Sequence, residues 1–164
     1  YYHPMNTKIL ISGAFDPLHI GHILLLKEAS EYGDVVVALN SDEWIIKKKG
    51  YILAPFEIRQ ELVKSVPYVS EVVGFDDYDG TACSALETVK PDFFGNGGGR
   101  SSFNTPKKEA ELCEKLNIVP VWNLGESLKD NKYLLLTLDK VLANTLEEVD
   151  KLSKLMERIK HLED

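Results

Sequence analysis

The sequence predicts an α/β fold in which a doubly wound parallel sheet of about five strands is followed by a long C-terminal helical extension. Three observations predict it. Short, β-branched apolar runs alternate with longer amphipathic segments between Lys8 and Trp122, the pattern of successive strand–helix–strand units. One run, Asp34-Val35-Val36-Val37-Ala38-Leu39-Asn40, is apolar without alternation, as a strand covered on both faces must be. Beyond about Lys132, apolar residues recur at alternating spacings of three and four, which is the period of a helix.

Composition sets the outer limits. The chain has 164 residues, enough for one sizeable core, and 26 acidic against 19 basic side chains give a net charge of −7. That balance argues against broad binding to nucleic acid or to a membrane surface, while leaving room for a local basic pocket that takes a nucleotide. There is no apolar run of about 20 residues and no charged-then-apolar leader, so a cytoplasmic protein without a membrane span is expected. Cys83 and Cys113 lack C-x-x-C spacing and read as reduced packing thiols, neither a disulfide framework nor a zinc site. Residues 1–4 precede Met5 and read as an expression remnant, residues 5–130 as the main domain and residues 131–164 as an amphipathic extension.

The first strand is Lys8-Ile9-Leu10-Ile11-Ser12, and it runs into Gly13-Ala14-Phe15-Asp16-Pro17-Leu18-His19-Ile20-Gly21-His22. A strand ending in Gly, then Asp-Pro, then an apolar-periodic segment reads as strand, tight turn and helix, with the helix reaching about Tyr32 and stopping at Gly33. His19 and His22 then share one face of the first turn, beside free backbone N–H groups and the positive end of the helix dipole. That is a place for phosphate. Gly21 removes a side chain where a ligand approaches the backbone, and Gly13 lets the strand turn. An isolated pair of this spacing also serves as a cap or in packing. A zinc helix would use i, i+4 spacing and a third ligand, so no metal-ligating residue is expected.

The buried strand 34–40 ends in Asn40-Ser41-Asp42, at the sheet edge where open α/β folds bind ligands; Ser41 or Asp42 also reads as a helix N-cap. Lys47, Lys48 and Lys49 bring charge to the same edge, and Pro55-Phe56-Glu57-Ile58-Arg59 starts another helix. Strand 71–75 leads through the acidic turn 76–81 into a helix at 82–89. Strand 91–94 leads into Gly95-Asn96-Gly97-Gly98-Gly99-Arg100, which reads either as a nest of N–H groups for an anion, with Arg100 adding charge, or as a flexible loop. A helix over 105–116 and a fifth strand over 118–122 follow, and Pro120 marks that strand as an edge.

The ten-residue pattern G-x-F-D-x-x-H-x-G-H resembles the signature of the cytidylyltransferase-like nucleotidyltransferases. The resemblance implies a Rossmann-like fold and direct attack by an acceptor phosphate on the α-phosphorus of ATP or CTP, with pyrophosphate released and Mg²⁺ accompanying the donor. It implies that His19 and His22 stabilise the transition state and that Arg59 and a lysine of the run, Lys49 among them, hold phosphates. The expected binding residues are Gly13, Ala14, Phe15, Asp16, Gly21, Asn40, Asp42, Lys47, Lys48, Gly95, Gly97, Arg100 and Ser127. Asn40-Ser41-Asp42 resembles the heptose-phosphate adenylyltransferase branch, Pro55-x-Glu57-x-Arg59 resembles the family's helix start, and the acidic-then-Thr element turns Thr81 toward the acceptor. Heptose 1-phosphate, glycerol 3-phosphate or another small phosphorylated alcohol is the implied acceptor.

Two segments depart from that pattern. Where relatives carry an acidic segment after Pro91-Asp92-Phe93-Phe94, this chain has glycines and Arg100. Where most carry I-S-T-T or S-S-T after the last strand, it has Leu124-Gly125-Glu126-Ser127-Leu128-Lys129, leaving Ser127 and Lys129 for the phosphates. These departures open a second reading, a nucleotide-binding or scaffold protein with weakened turnover. In the extension, Leu135, Leu142, Val149 and Met156 repeat every seven residues, as do Leu138, Thr145, Leu152 and Ile159, and Leu134, Val141, Leu155 and Leu162 widen the stripe. Such a helix packs on its own domain or joins subunits, and a homodimer or higher homo-oligomer is expected.

Overall fold

The computed structural model describes residues 6–76, 79–125 and 132–160, with backbone alone for 132–139. Five strands, β1 Lys8–Gly13, β2 Asp34–Asn40, β3 Val69–Phe75, β4 Phe93–Gly97 and β5 Val119–Leu124, form one parallel sheet in the order β3-β2-β1-β4-β5. The chain therefore builds outward from β1 in one direction and then in the other. The strand order reverses between β1 and β4, where a doubly wound sheet opens a crevice at its carboxyl edge.

Side-chain alternation along β1 assigns the faces. Ile9 and Ile11 pack with Leu26, Ala29 and Val63, from α1 (Ile20–Ala29) and α3 (Phe56–Lys64). Leu10 points the other way and packs with Ala85, Leu86 and Cys113, from α4 (Cys83–Val89) and α5 (Lys107–Lys115). Strand β2 has both faces covered, with Val35 to Leu39 wholly buried, which is why its sequence shows no alternation. Each such Val or Leu side chain contributes about 1.5–3 kcal/mol of transfer free energy.

Several boundaries differ from the sequence reading, each for a local reason. Helix α1 ends at Ala29, and the Ser30 hydroxyl donates to the Lys27 carbonyl at 2.6 Å, turning the chain before Tyr32. The three lysines lie in the last turn of α2 (Asp42–Lys49), where the helix dipole favours cations, and not in a loop. Strand β4 starts later than expected and runs on through Gly97, so Gly95 is a strand residue. A Cβ there would meet Ile11 Cδ1, and would sit 2.8 Å from Leu124 Cδ1 and 3.1 Å from Ile9 Cδ1. Only glycine leaves those core side chains their space. β5 is an edge strand, as Pro120 implied.

The chain divides into two compact units, residues 1–126 and 127–164. The second contains α6 (Lys132–Lys160). Along its described side chains, Val141, Leu142, Leu146, Val149, Leu152, Leu155, Met156 and Ile159 are all between 49% and 69% exposed. No described helix is long and apolar enough to cross a membrane. Residues 1–4, Ser127, Lys129 and Leu162 lie outside the described residues, as do the side chains of Leu134, Leu135 and Leu138.

Candidate active site

The two histidines are placed by helix capping. His19 is the N-cap of α1 in extended conformation, and its Nδ1 accepts from Gly21 N at 3.0 Å. His22 sits three positions on, and its Nδ1 accepts from His19 N at 3.3 Å. This is a reciprocal capping box built from two imidazoles in place of the usual Ser and Glu. The rings stack with centroids 3.8 Å apart and planes 24° from parallel.

A ring nitrogen that accepts from an N–H carries no hydrogen of its own, so each neutral ring bears its hydrogen on Nε2. Both rings favour that neutral form. Burial lowers the pKa of His19. The His22 pKa falls to about 4, through burial first and then the nearby charges of His19 and Lys49. The helix start thus presents two oriented Nε2–H donors without a positive charge. Phe15 supports them: its buried ring lies 4.6 Å from that of His22, on a backbone with φ of 49°, a conformation that costs a bulky residue energy.

At the strand-order reversal lies a cavity of about 300 Å³, lined from α1 by Leu25; His19 and His22 do not line it, and neither do Phe15, Asp16 and Gly21. Ser12, Gly13 and Ala14 line it from the end of β1, Gly95 to Gly98 and Arg100 from β4 and its loop, and Asn40, Trp44, Lys48 and Phe75 from the β2–β3 side. Lys48 lies 4.5 Å from the centroid of the Trp44 ring, a cation held over an indole face. Of the expected residues, Gly13, Ala14, Asn40, Lys48, Gly95, Gly97 and Arg100 are brought to this one cavity. Lys47 and Lys49 are exposed, and neither lines it; Lys49 reaches the site through its charge at His22.

Four residues expected to touch ligand, Arg59, Asp42, Asp16 and Thr81, are engaged with the protein itself. Arg59 is 1% exposed. Its Nε donates to the Ala54 carbonyl at 2.9 Å, its Nη1 to the Ala14 and Asn40 carbonyls at 2.8 and 2.9 Å, and its Nη2 to Asp42 Oδ1 at 2.6 Å. The guanidinium is a brace between the ends of β1 and β2, and Asp42 is its counter-ion. Asp16, also buried, accepts from Leu53 N at 2.9 Å and Ala54 N at 2.9 Å, which fixes the turn of the signature to the loop before α3. Thr81 is buried, with its hydroxyl donating to Asp79 Oδ1 at 2.6 Å, so it does not turn toward a ligand.

The glycine segment is less of a nest than its composition implied. Asn96 donates to the Phe94 carbonyl at 3.1 Å, and of the glycines in 95–99, Gly99, with φ of 94°, is the one in left-handed conformation. Arg100 is shared: it lines the cavity, yet its Nη1 donates to Glu109 Oε2 at 2.8 Å. Ser12, Trp44, Phe75 and Asn96 were missed by sequence reasoning. Trp44 and Phe75 carried a usable signal, since one is three residues after the Ser41 N-cap and the other closes β3 at its carboxyl end.

A family model described as cytidylyltransferase-like matches residues 10–133. The FAD synthase of Thermococcus kodakarensis is 39% identical over 113 residues, covering 65% of this chain and 72% of that protein. The glycerol-3-phosphate cytidylyltransferase of Bacillus subtilis is 39% identical over 67 residues, covering 40% of this chain and 52% of that protein. Among solved structures, a lipopolysaccharide core biosynthesis protein from Thermoplasma volcanium superposes with a TM-score of 0.57 at 27% identity, over 72% of this chain and 95% of that one.

Proposed function

The chain belongs to the cytidylyltransferase-like family of nucleotidyltransferases, and we propose that it moves a nucleoside monophosphate from ATP or CTP to a small phosphorylated sugar or polyol. The observation that carries this reading is the stacked histidine pair, with both Nδ1 atoms occupied by backbone N–H groups. An acceptor phosphate oxygen attacks the α-phosphorus, the bond from that phosphorus to the oxygen bridging it to the β-phosphate breaks, and pyrophosphate leaves with that oxygen. No covalent intermediate on the protein is needed. The Nε2–H groups of His19 and His22 are donors where negative charge builds during the displacement, a role worth about 10²–10³ in rate for a single donor.

Lys48 at the cavity and Lys49 beside His22 supply positive charge for the polyphosphate. Arg59 acts as a positioning residue, holding the loops that carry Ala14 and Asn40. Mg²⁺ fits as a companion of the triphosphate, since it prefers substrate phosphates, water and one or two carboxylates to a full protein cage. When bound, it would neutralise phosphate oxygens. Likeness to a glycerol-3-phosphate cytidylyltransferase supports a small phosphorylated alcohol, glycerol 3-phosphate or heptose 1-phosphate, as the acceptor.

The second reading, a nucleotide-binding or scaffold protein with weak turnover, is favoured by the engagement of Arg59 and Arg100 with the protein's own carboxylates. A pyrophosphate-release assay with ATP or CTP across phosphorylated sugars and polyols separates the two. Turnover with at least one acceptor, reduced about 100-fold or more in His22→Ala, is expected; absence of release with every acceptor would favour the scaffold. The seven-residue apolar repeat of α6 supports a further proposal, that this helix joins copies of the chain into a homo-oligomer.

A further inference from the structure

A second cavity, of about 280 Å³, lies on the α4–α5 face of the sheet, walled by Phe94, Pro120 and Trp122 on the strand side and by Glu109 and Cys113 of α5. Its chemistry is unlike that of the first. Its walls are mostly apolar and aromatic, its lining contains two carboxylates, Glu109 and Glu114, and among the described residues no Lys or Arg contributes to it. Burial, and then the Glu109 charge, pushes the Cys113 thiol up to about 11, so the sulfur stays protonated and neutral.

Glu109 is the informative residue. It is 1% exposed, with Oε1 accepting from Ala82 N at 2.8 Å and Oε2 from Arg100 Nη1 at 2.8 Å. Arg100 lines the first cavity and Glu109 lines the second. One ion pair therefore links a residue of the first cavity to a residue of the second. A buried carboxylate depends strongly on its partner, so a ligand that donates to Glu109 alters the hold on Arg100, and any such coupling acts equally in both directions.

We propose that the second cavity is a binding site for a small planar aromatic ligand bearing an N–H donor, neutral or cationic, whose occupancy is felt in the first cavity through Glu109 and Arg100. Aromatic walls stack a flat ring, the carboxylates accept from its donor, and the absence of cationic lining disfavours anions. This holds whether or not the first cavity binds a nucleotide.

The test titrates the ¹⁵N-labelled full chain with tryptamine, a cationic indole, and with indole-3-acetate, its anionic counterpart. Tryptamine is expected to give saturable shifts at the amides of Phe94, Ala110 and Cys113 and at Trp122 Nε1, together with Arg100 Nε. Indole-3-acetate is expected to bind at least tenfold more weakly. Ala110→Phe, at an exposed position on the cavity mouth, is expected to abolish the saturable shifts and leave the rest of the spectrum in place. The proposal is overturned by an absence of saturable shifts, by equal binding of the anion, by shifts that leave Arg100 Nε unmoved, or by shifts that persist in Ala110→Phe.

Discussion

Protonating His22 works against the folded state. In the folded chain its pKa is about 4, against an ordinary value of 6.5, so between those two values the unfolded chain binds the proton that the native chain refuses. The stability contributed by the neutral ring is fully present above pH 6.5 and declines as pH falls toward 4. Between pH 7 and pH 4.5, urea unfolding of the wild type should lose roughly 2 kcal/mol more than that of His22→Ala, after allowance for the ring's partial contact with solvent. Equal losses would mean that His22 is not held neutral by its surroundings.

The histidine site was legible in sequence because it is local: spacing alone puts His19 and His22 at one helix start. The roles of Asp16 and Arg59 were not legible. Both are the polar types that grip phosphates or metals, but their partners lie 37 or 38 residues away for Asp16, and 45 and 19 residues away for the Arg59 bonds to Ala14 and Asn40. A ligand residue and an internal brace look identical until the fold brings those carbonyls and N–H groups together.

At the scale of elements, β4 separates composition from geometry. A cluster of glycines after a strand suggested either a nest for an anion or a flexible loop, yet Gly95 is needed because Ile9, Ile11 and Leu124 fill the volume where a side chain would stand. Gly95→Ala should therefore act as an overpacking change, costing about 1–3 kcal/mol in denaturant unfolding. Unchanged stability with weakened anion binding would restore the nest reading. The end of β4 could not be located from sequence because glycine carries no strand signal. The end of β2 could, since its continuous apolar run stops at Asn40 and Ser41 caps the next helix with its Oγ accepting from Trp44 N at 3.1 Å.

At the scale of the molecule, the alternation of elements specified a parallel sheet, and Pro120 placed one edge, before any contact was known. What sequence left open was the destination of the seven-residue stripe in α6, because a helix packing on its own domain and a helix joining subunits need the same apolar period. Association between copies is the use we propose for that stripe. The double variant Leu142→Lys, Leu152→Lys should lower the molar mass of the full chain in light scattering to that of a monomer while its α/β spectrum persists. An unchanged mass would remove α6 from the interface.

Nucleotide recognition by the two imidazoles is the claim on which the catalytic reading stands, and calorimetry tests it most directly. The full chain is titrated with ATP and with CTP in the presence of Mg²⁺, beside the His19→Ala, His22→Ala double variant, whose folding is checked by circular dichroism. One of the two nucleotides should bind the wild type, and that binding should vanish in the folded variant. Binding of neither nucleotide, or equal binding with and without the histidines, would contradict it.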